Sequence, residues 1–203
     1  MGEEQMKEKR EELKLEVKRQ LVHLFLGFFI ALCLFIFEPF LGRLVVLPLL
    51  IGVLLLFILQ KFRNNPISRF LIEHFERERD RQRFPYKGAI LYGFGVSIPI
   101  IILDIAPACA IIAILSVGDS ISTLVGKNFG SKRIGHKSIE GSLAFLFSSF
   151  FSALIFLPSM PEIVLLLSLI GALVELFSPI DDNLSVPIFL TFCYIIISNL
   201  YPL

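Results

Sequence analysis

The run Ala106-Pro107-Ala108-Cys109-Ala110-Ile111-Ile112-Ala113-Ile114-Leu115-Ser116-Val117-Gly118-Asp119-Ser120-Ile121-Ser122-Thr123-Leu124-Val125 holds one charge in twenty residues and then meets Gly126-Lys127. About 17–25 apolar residues are enough for a helix to cross a bilayer. Its second half departs from pure hydrocarbon in a regular way. Ser116, Asp119, Ser120, Thr123 and Lys127 recur at intervals that fall on one helix face. Small hydroxyls on such a face are common in membrane bundles, where they hydrogen-bond between helices. A carboxylate is different: at that depth it must be paired, protonated or bound to a cation, so Asp119 marks a functional site.

The rest of the chain fits a membrane protein. It has 203 residues, of which 55% are hydrophobic, and its mean hydropathy is +0.78. Further apolar runs cover residues 21–37, 44–59, 89–103, 143–157, 163–177 and 186–203. With 106–125 they predict an all-α bundle of about seven transmembrane helices. The shorter runs borrow flanking residues or lie in locally thinned bilayer. Only Asp104-Ile105 separates the third run from the fourth, which predicts a tight turn or a re-entrant element near Pro107. The first run starts late, follows a charged segment and lacks a small-residue cleavage site, so it reads as a retained span. Cys33, Cys109 and Cys193 all lie in apolar runs and show no metal-ligand spacing. They read as buried apolar side chains.

Net charge is +1, so no overall field draws the chain to nucleic acid. The distribution of charge says more. All 19 lysines and arginines except Arg43 lie in three segments: the N-terminal 20 residues, the stretch 61–87 and the loop after 125. Seven crossings put these segments on one side, which the positive-inside rule makes the cytoplasm. The N-terminus is then cytoplasmic, and the acidic turn Asp181-Asp182-Asn183 shares its face with the loop 126–142.

Two divisions follow: a polar helix at 1–20 and an integral membrane domain at 21–203. The polar helix reads as a solvated, salt-laced surface. In the stretch 61–87, Ile67, Phe70, Leu71 and Phe75 are spaced for one apolar helix face, and Arg77, Arg79, Arg81 and Arg83 follow. That pattern predicts an amphipathic helix in the membrane interface with a basic tail.

The loop 126–142 concentrates Lys127, Lys132, Arg133 and Lys137 among Gly126, Gly130, Gly135 and Gly141. Cations, glycines that let backbone approach a ligand, and hydroxyls at Ser138 and Ser142 together describe a cradle for phosphate. A helix starting near Ser142 would add free amides. The pattern is not a Walker A loop, because His136 precedes Lys137-Ser138 and no strand leads in. His136 itself reads as an interfacial polar residue. Glu175, Asp182 and Asn183 place hard oxygen ligands at the same depth as Asp119, which suits Mg²⁺. Asp181 serves equally well as a cap for the last helix.

Several of these elements resemble the polyprenol kinase family, which includes dolichol kinases, phytol kinases and CTP-dependent diacylglycerol kinases. They are Gly118-Asp119-Ser120, Gly126-Lys127-Asn128-Phe129-Gly130, Lys137-Ser138-Ile139-Glu140-Gly141-Ser142 and Glu175 with Asp182-Asn183-Leu184 and Val186-Pro187. Arg19-Gln20-Leu21-Val22-His23 resembles a family Arg-Lys-x-x-His element, with Gln20 as a departure. The resemblance implies phosphoryl transfer from CTP, with Mg²⁺, to a membrane alcohol: dolichol or another polyprenol, phytol or geranylgeraniol, or diacylglycerol. On that basis Lys127, Lys132, Arg133, Lys137, Ser138, Gly141 and Ser142 are expected to bind the nucleotide phosphates. Asp119, Glu140, Asp182 and Asn183 are expected to hold the metal, and Asp119, Glu140 or Glu175 to act on the acceptor. Phosphatidate cytidylyltransferases share part of the layout, but their longer acidic C-terminal signature is absent here. A lipid or ion transporter is a further alternative. Homo-oligomerisation stays open.

Overall fold

The structure is a computed structural model that describes residues 3–76 and 78–200. Arg77, the side chains of Lys9 and Arg79, the first two residues and the end of the last apolar run (201–203) lie outside the described residues. The fold is all-α except for one short ladder. Its helices are α1 (Glu3–Leu41), α2 (Leu47–Lys61), α3 (Pro66–Phe75), α4 (Glu78–Arg83), α5 (Lys87–Ile102), α6 (Ile105–Ala113), α7 (Asp119–Phe129), α8 (Ile139–Leu154), α9 (Pro161–Phe177) and α10 (Asp182–Leu200). The pair β1 (Arg133–Ile134) and β2 (Lys137–Ser138) forms an antiparallel hairpin inside the expected phosphate loop. The sequence reading expected no strand there.

Among the described residues, three helical runs are long and apolar enough to cross a membrane: Arg10–Lys61, Ile105–Phe129 and Asp182–Leu200. Lys87–Ile102 and Ile139–Leu154 are apolar but shorter. The chain is therefore a membrane protein. The expected polar helix and first apolar run form one continuous helix, α1, because Leu, Glu, Lys and Arg are all good helix formers and its one proline, Pro39, falls in the last turn. Gly42 ends it at φ +55°, which an L-residue adopts only at a cost. A 3₁₀ turn, Gly42–Val46, then leads into α2.

The centre of the bundle is α6. Its Ala108–Ala113 and the following Ile114 and Leu115 are fully buried. A helix apolar all round belongs inside, and its alanines let α1, α5, α8 and α10 approach closely. Between α6 and α7, residues Ile114–Gly118 form a π-turn. Helices α8, α9 and α10 wrap one side, and α10 crosses α5 at Gly95. A Cβ there would run into the carbonyl oxygen of Asn183.

Polar contacts at the two ends identify which segments share a side. At one end Lys127 pairs with Glu16 at 3.2 Å, Lys18 lies 4.5 Å above the Phe75 ring, and Lys137 bonds Asp182 at 2.8 Å. The N-terminal helix, the 61–87 stretch, the hairpin and the acidic turn therefore gather at that end. At the other end Arg43 donates to the carbonyls of Ile100, Ile101 and Leu103 at 3.0, 3.1 and 2.7 Å, closing the C-terminus of α5. The polar helix is not solvated all round as expected, because Glu16 is buried where it meets Lys127, Arg19 and Gln20.

The expected amphipathic helix is α3. Leu71 and Ile72 pack inward, while Ile67 and Phe70 stay exposed. Tyr86, at φ 62°, holds the end of this segment by bonding the Ser68 hydroxyl at 2.7 Å.

Candidate functional site

Four elements bring one side chain each to the polar end of the bundle. Asp119 opens α7 directly after the π-turn. Glu175 sits on α9 near its last turn. Asp182 opens α10, where a carboxylate is favoured by the amides of a helix N-terminus. Lys137 reaches in from β2. Its ammonium lies 2.5 Å from Glu175 Oε1, 2.8 Å from Asp182 Oδ2 and 3.9 Å from Asp119 Oδ1. Ser122 donates to the same Glu175 oxygen at 3.0 Å. Three acids thus converge on one cation. Burial pulls the Lys137 pKa down, but the attraction of Asp119, Asp182 and Glu175 outweighs it, so the ammonium is held above its usual range.

One ligand oxygen from each of Asp119, Glu175 and Asp182 falls within 4.8 Å of the others. Glu175 is 1% exposed, and its Oε2 has no hydrogen-bond partner among the described residues. A buried carboxylate oxygen without a donor needs an account, and a hard divalent cation fits it. Excess acid, all-oxygen donors and access from the polar end are what Mg²⁺ requires.

The hairpin that carries Lys137 is built locally. Gly135, at φ +60°, makes its turn. Ser138 caps α8 by accepting from Gly141 N at 3.0 Å, and Ser142 bonds back to the Ser138 carbonyl at 3.3 Å. This corrects one expectation. Helix α8 begins at Ile139, and the Gly141 amide is bonded to its own cap. Gly126, Gly130 and Gly141 make room for Ser138 and Ser122, so their smallness serves packing of α7 on the hairpin and α8.

The remaining expected residues lie elsewhere. Glu140 is half-buried and accepts from the Ser131 hydroxyl and from Lys132 N at 3.2 Å, strapping the base of the hairpin. The Ser131 bond, with backbone donors, pulls its pKa down to about 2. It is not brought to the carboxylate group. Lys127 is committed to Glu16. Lys132 and Arg133 are exposed on the hairpin. Asp181 caps α10, accepting from Asn183 N at 3.2 Å and from Asn183 Nδ2 at 3.0 Å. Asn183 Oδ1 is buried without a hydrogen-bond partner among the described residues.

A cleft of about 810 Å³ opens beside this cluster. It lies between α1 and α2 with α5 behind, is lined almost wholly by apolar side chains, and ends on Arg19, His23, Asp119 and Asn183. His23 Nε2 lies 3.9 Å from Asp119 Oδ2. The His23 ring meets Tyr92 edge-on at 5.0 Å, and the Tyr92 hydroxyl bonds Ser116 at 2.9 Å. The cleft and the Tyr92–Ser116 bond were beyond sequence reasoning. The shared helix face of Arg19 and His23 was the one signal pointing to this floor.

Fold and site together define a helical membrane protein with a lysine-bridged carboxylate site at one end of the bundle. Sequence comparison adds relatives. An uncharacterized protein of Methanocaldococcus jannaschii is 33% identical over 183 residues, covering 87% of this chain and 91% of that one, and the chain belongs to its family. The dolichol kinase of Saccharomyces cerevisiae is 29% identical over 149 residues, covering 66% of this chain but 28% of the kinase. No family model matches the chain, and no solved structure does.

Proposed function

We propose that the chain is a lipid kinase that transfers the γ-phosphoryl of CTP to the hydroxyl of a membrane alcohol at the cytoplasmic face, in a seven-crossing topology with the N-terminus inside. One observation carries the reading: the Asp119–Glu175–Asp182–Lys137 cluster sits where an apolar cleft meets the polar end of the bundle. The likeness to dolichol kinase agrees with it, and CTP rests on family resemblance alone.

The roles follow from chemistry. Lys132, Arg133 and Lys137 draw the triphosphate to the hairpin. Asp119, Glu175 and Asp182 would hold Mg²⁺, which supplies neutralisation of the charge that develops on the phosphoryl oxygens. Asp119 is the one of the three that also lines the cleft, and it orients the acceptor hydroxyl and takes its proton. The alcohol oxygen bonds to the γ-phosphorus as the bond to the bridging oxygen breaks, and CDP leaves. Phosphoryl transfer asks chiefly for such positioning and charge compensation. Glu140 acts at a distance by holding the hairpin.

The test is a detergent-micelle assay with γ-labelled CTP or ATP, Mg²⁺, and dolichol, phytol, geranylgeraniol or diacylglycerol. Label passing from CTP to a lipid is expected. Label passing only from ATP overturns the nucleotide assignment. A CDP-lipid formed from phosphatidate with release of pyrophosphate overturns the kinase.

A further inference from the structure

Asp119 presents its two carboxylate oxygens to two different neighbours. Oδ1 lies 3.9 Å from the Lys137 ammonium, on the hairpin side. Oδ2 lies 3.9 Å from His23 Nε2, at the head of the apolar cleft. The carboxylate therefore stands between the cationic hairpin and the cleft.

His23 is held there by the crossing of α1 on the π-turn and α7. The two run antiparallel in register: Gly27 abuts Ser116, His23 faces Asp119, and Glu16 pairs with Lys127. The outer two rungs are closed. A Cβ at Gly27 would run into Ser116 and the Tyr92 hydroxyl, and Lys127 Nζ lies 3.2 Å from Glu16. The His23 ring is fixed edge-on against Tyr92, Tyr92 bonds Ser116, and Ser116 donates to the Ile112 carbonyl at 2.8 Å. The middle rung stays open. His23 Nε2 is buried with no hydrogen-bond partner among the described residues, and 3.9 Å to Asp119 is too far for one. A buried polar atom left over in this way is uncommon.

The width of the gap identifies what fits it. Two hydrogen bonds of about 2.8 and 2.9 Å meeting near a right angle span ~4 Å. One oxygen atom therefore bridges Nε2 and Oδ2. A carboxylate only accepts and an imidazole N–H only donates, so the bridging group must do both, as a hydroxyl does. Beside a carboxylate the ring proton belongs on Nε2.

We infer that His23 is a catalytic residue of the acceptor side: its Nε2–H donates to the oxygen of the lipid alcohol while Asp119 Oδ2 accepts that hydroxyl's proton. The inference rests on the reading of the carboxylate cluster and cleft as a lipid-kinase site. One lone pair of the alcohol oxygen is then tied to His23, and the other is left to bond the γ-phosphorus from the hairpin side. As that bond forms, the hydroxyl proton passes to Asp119, the bond to the bridging oxygen breaks and its electron pair leaves with CDP. His23 keeps its own proton throughout. It aims the nucleophile and is neither acid nor base.

Three substitutions separate aiming from packing. Gln places an amide N–H near the position of Nε2, Asn places one near Nδ1, and Phe keeps a ring against Tyr92 with no donor. His23→Gln should keep phosphoryl transfer within about tenfold of the wild-type rate. His23→Asn and His23→Phe should lose roughly 100-fold in kcat, the size of a misplaced reactant, while the nucleotide KM and melting temperature of His23→Phe stay put. If His23 only packs, the order reverses: His23→Phe is active, His23→Gln is impaired, and the inference falls.

The wild-type chain gives a second readout without nucleotide. Protein labelled with ¹⁵N-histidine carries three imidazoles, His23, His74 and His136, and the latter two are exposed. In nanodiscs, geranylgeraniol or dioleoylglycerol should shift the His23 Nε2 signal. The methyl ether of each should not, because an ether has no proton for Asp119. No shift with either alcohol, or equal shifts with alcohol and ether, overturns the inference. A shift with no transfer from any nucleotide upholds hydroxyl capture at His23 and rejects the kinase. Transfer without the shift keeps the kinase and rejects the role of His23.

Discussion

Replacing Lys137 by Ala would leave Glu175 buried and Asp182 facing it, with Ser122 alone among the described residues donating to either. Removing one partner of a buried ion pair costs about 3–5 kcal/mol, so Lys137→Ala should lose both thermal stability and turnover. The double variant Lys137→Ala/Glu175→Gln should regain much of the stability, read by the melting temperature, and none of the activity. Glu140 is a different case, because its bonds depress its pKa from 4.5 to about 2. A carboxyl depressed in the folded state stabilises fully above its unfolded value and loses that contribution as pH falls toward the folded one. The melting-temperature gap between the protein and Glu140→Gln should hold from pH 7 to pH 5 and shrink between 4.5 and 2. The raised Lys137 pKa has the opposite sign: its contribution is complete below 10.5 and fades only as pH climbs past it. Asp119, Lys137, Glu175 and Asp182 were legible in the sequence because each is an ionisable group inside or beside an apolar run. Glu140 shares their chemical type, but type does not tell direction, and its side chain turns back to Ser131.

At the scale of elements, close crossings and turns decide the geometry. Gly95→Ala would drive a Cβ into the Asn183 backbone and should cost about 1–3 kcal/mol, while shifting Asp182. Gly52→Ala meets nothing within 4 Å and should gain roughly 0.5–1 kcal/mol, as alanine does over glycine in a helix. Thermal melts of the two variants should move in opposite directions. The apolar runs could be read from composition and length, and α5 begins and ends within two residues of the expected run 89–103, whereas α10 begins at Asp182, four residues before the run expected from 186. The π-turn could not, because Ile114-Leu115-Ser116-Val117-Gly118 would suit an α-helix equally well. It widens the helix by one residue just before Asp119, and such turns frequently accompany functional sites. The cleft was equally hidden, since it depends on how far α2 leans from α1 after the Gly42 turn. Tyr92 meeting Ser116 depends on where α5 packs. A hairpin of two-residue strands is too short to leave a pattern.

For the whole molecule, the charge distribution makes a claim about sidedness that the fold sharpens. The hairpin and the loop between α8 and α9 lie at opposite ends of α8. With Cys33, Cys109 and Cys193 replaced, Ser159→Cys should react with a membrane-impermeant thiol reagent on intact cells, and Lys132→Cys only after lysis. The reverse pattern would invert the molecule. The long apolar cleft then has a consequence for the fate of the product. Under the proposed reading the head of the lipid lies at Asp119, and the cleft from there to Leu41 is lined almost wholly by apolar side chains. A newly charged headgroup has no inexpensive passage through hydrocarbon. The phosphorylated lipid would retreat sideways into the leaflet from which the alcohol came, so a cell that needs it on the other surface must employ a separate flipping protein.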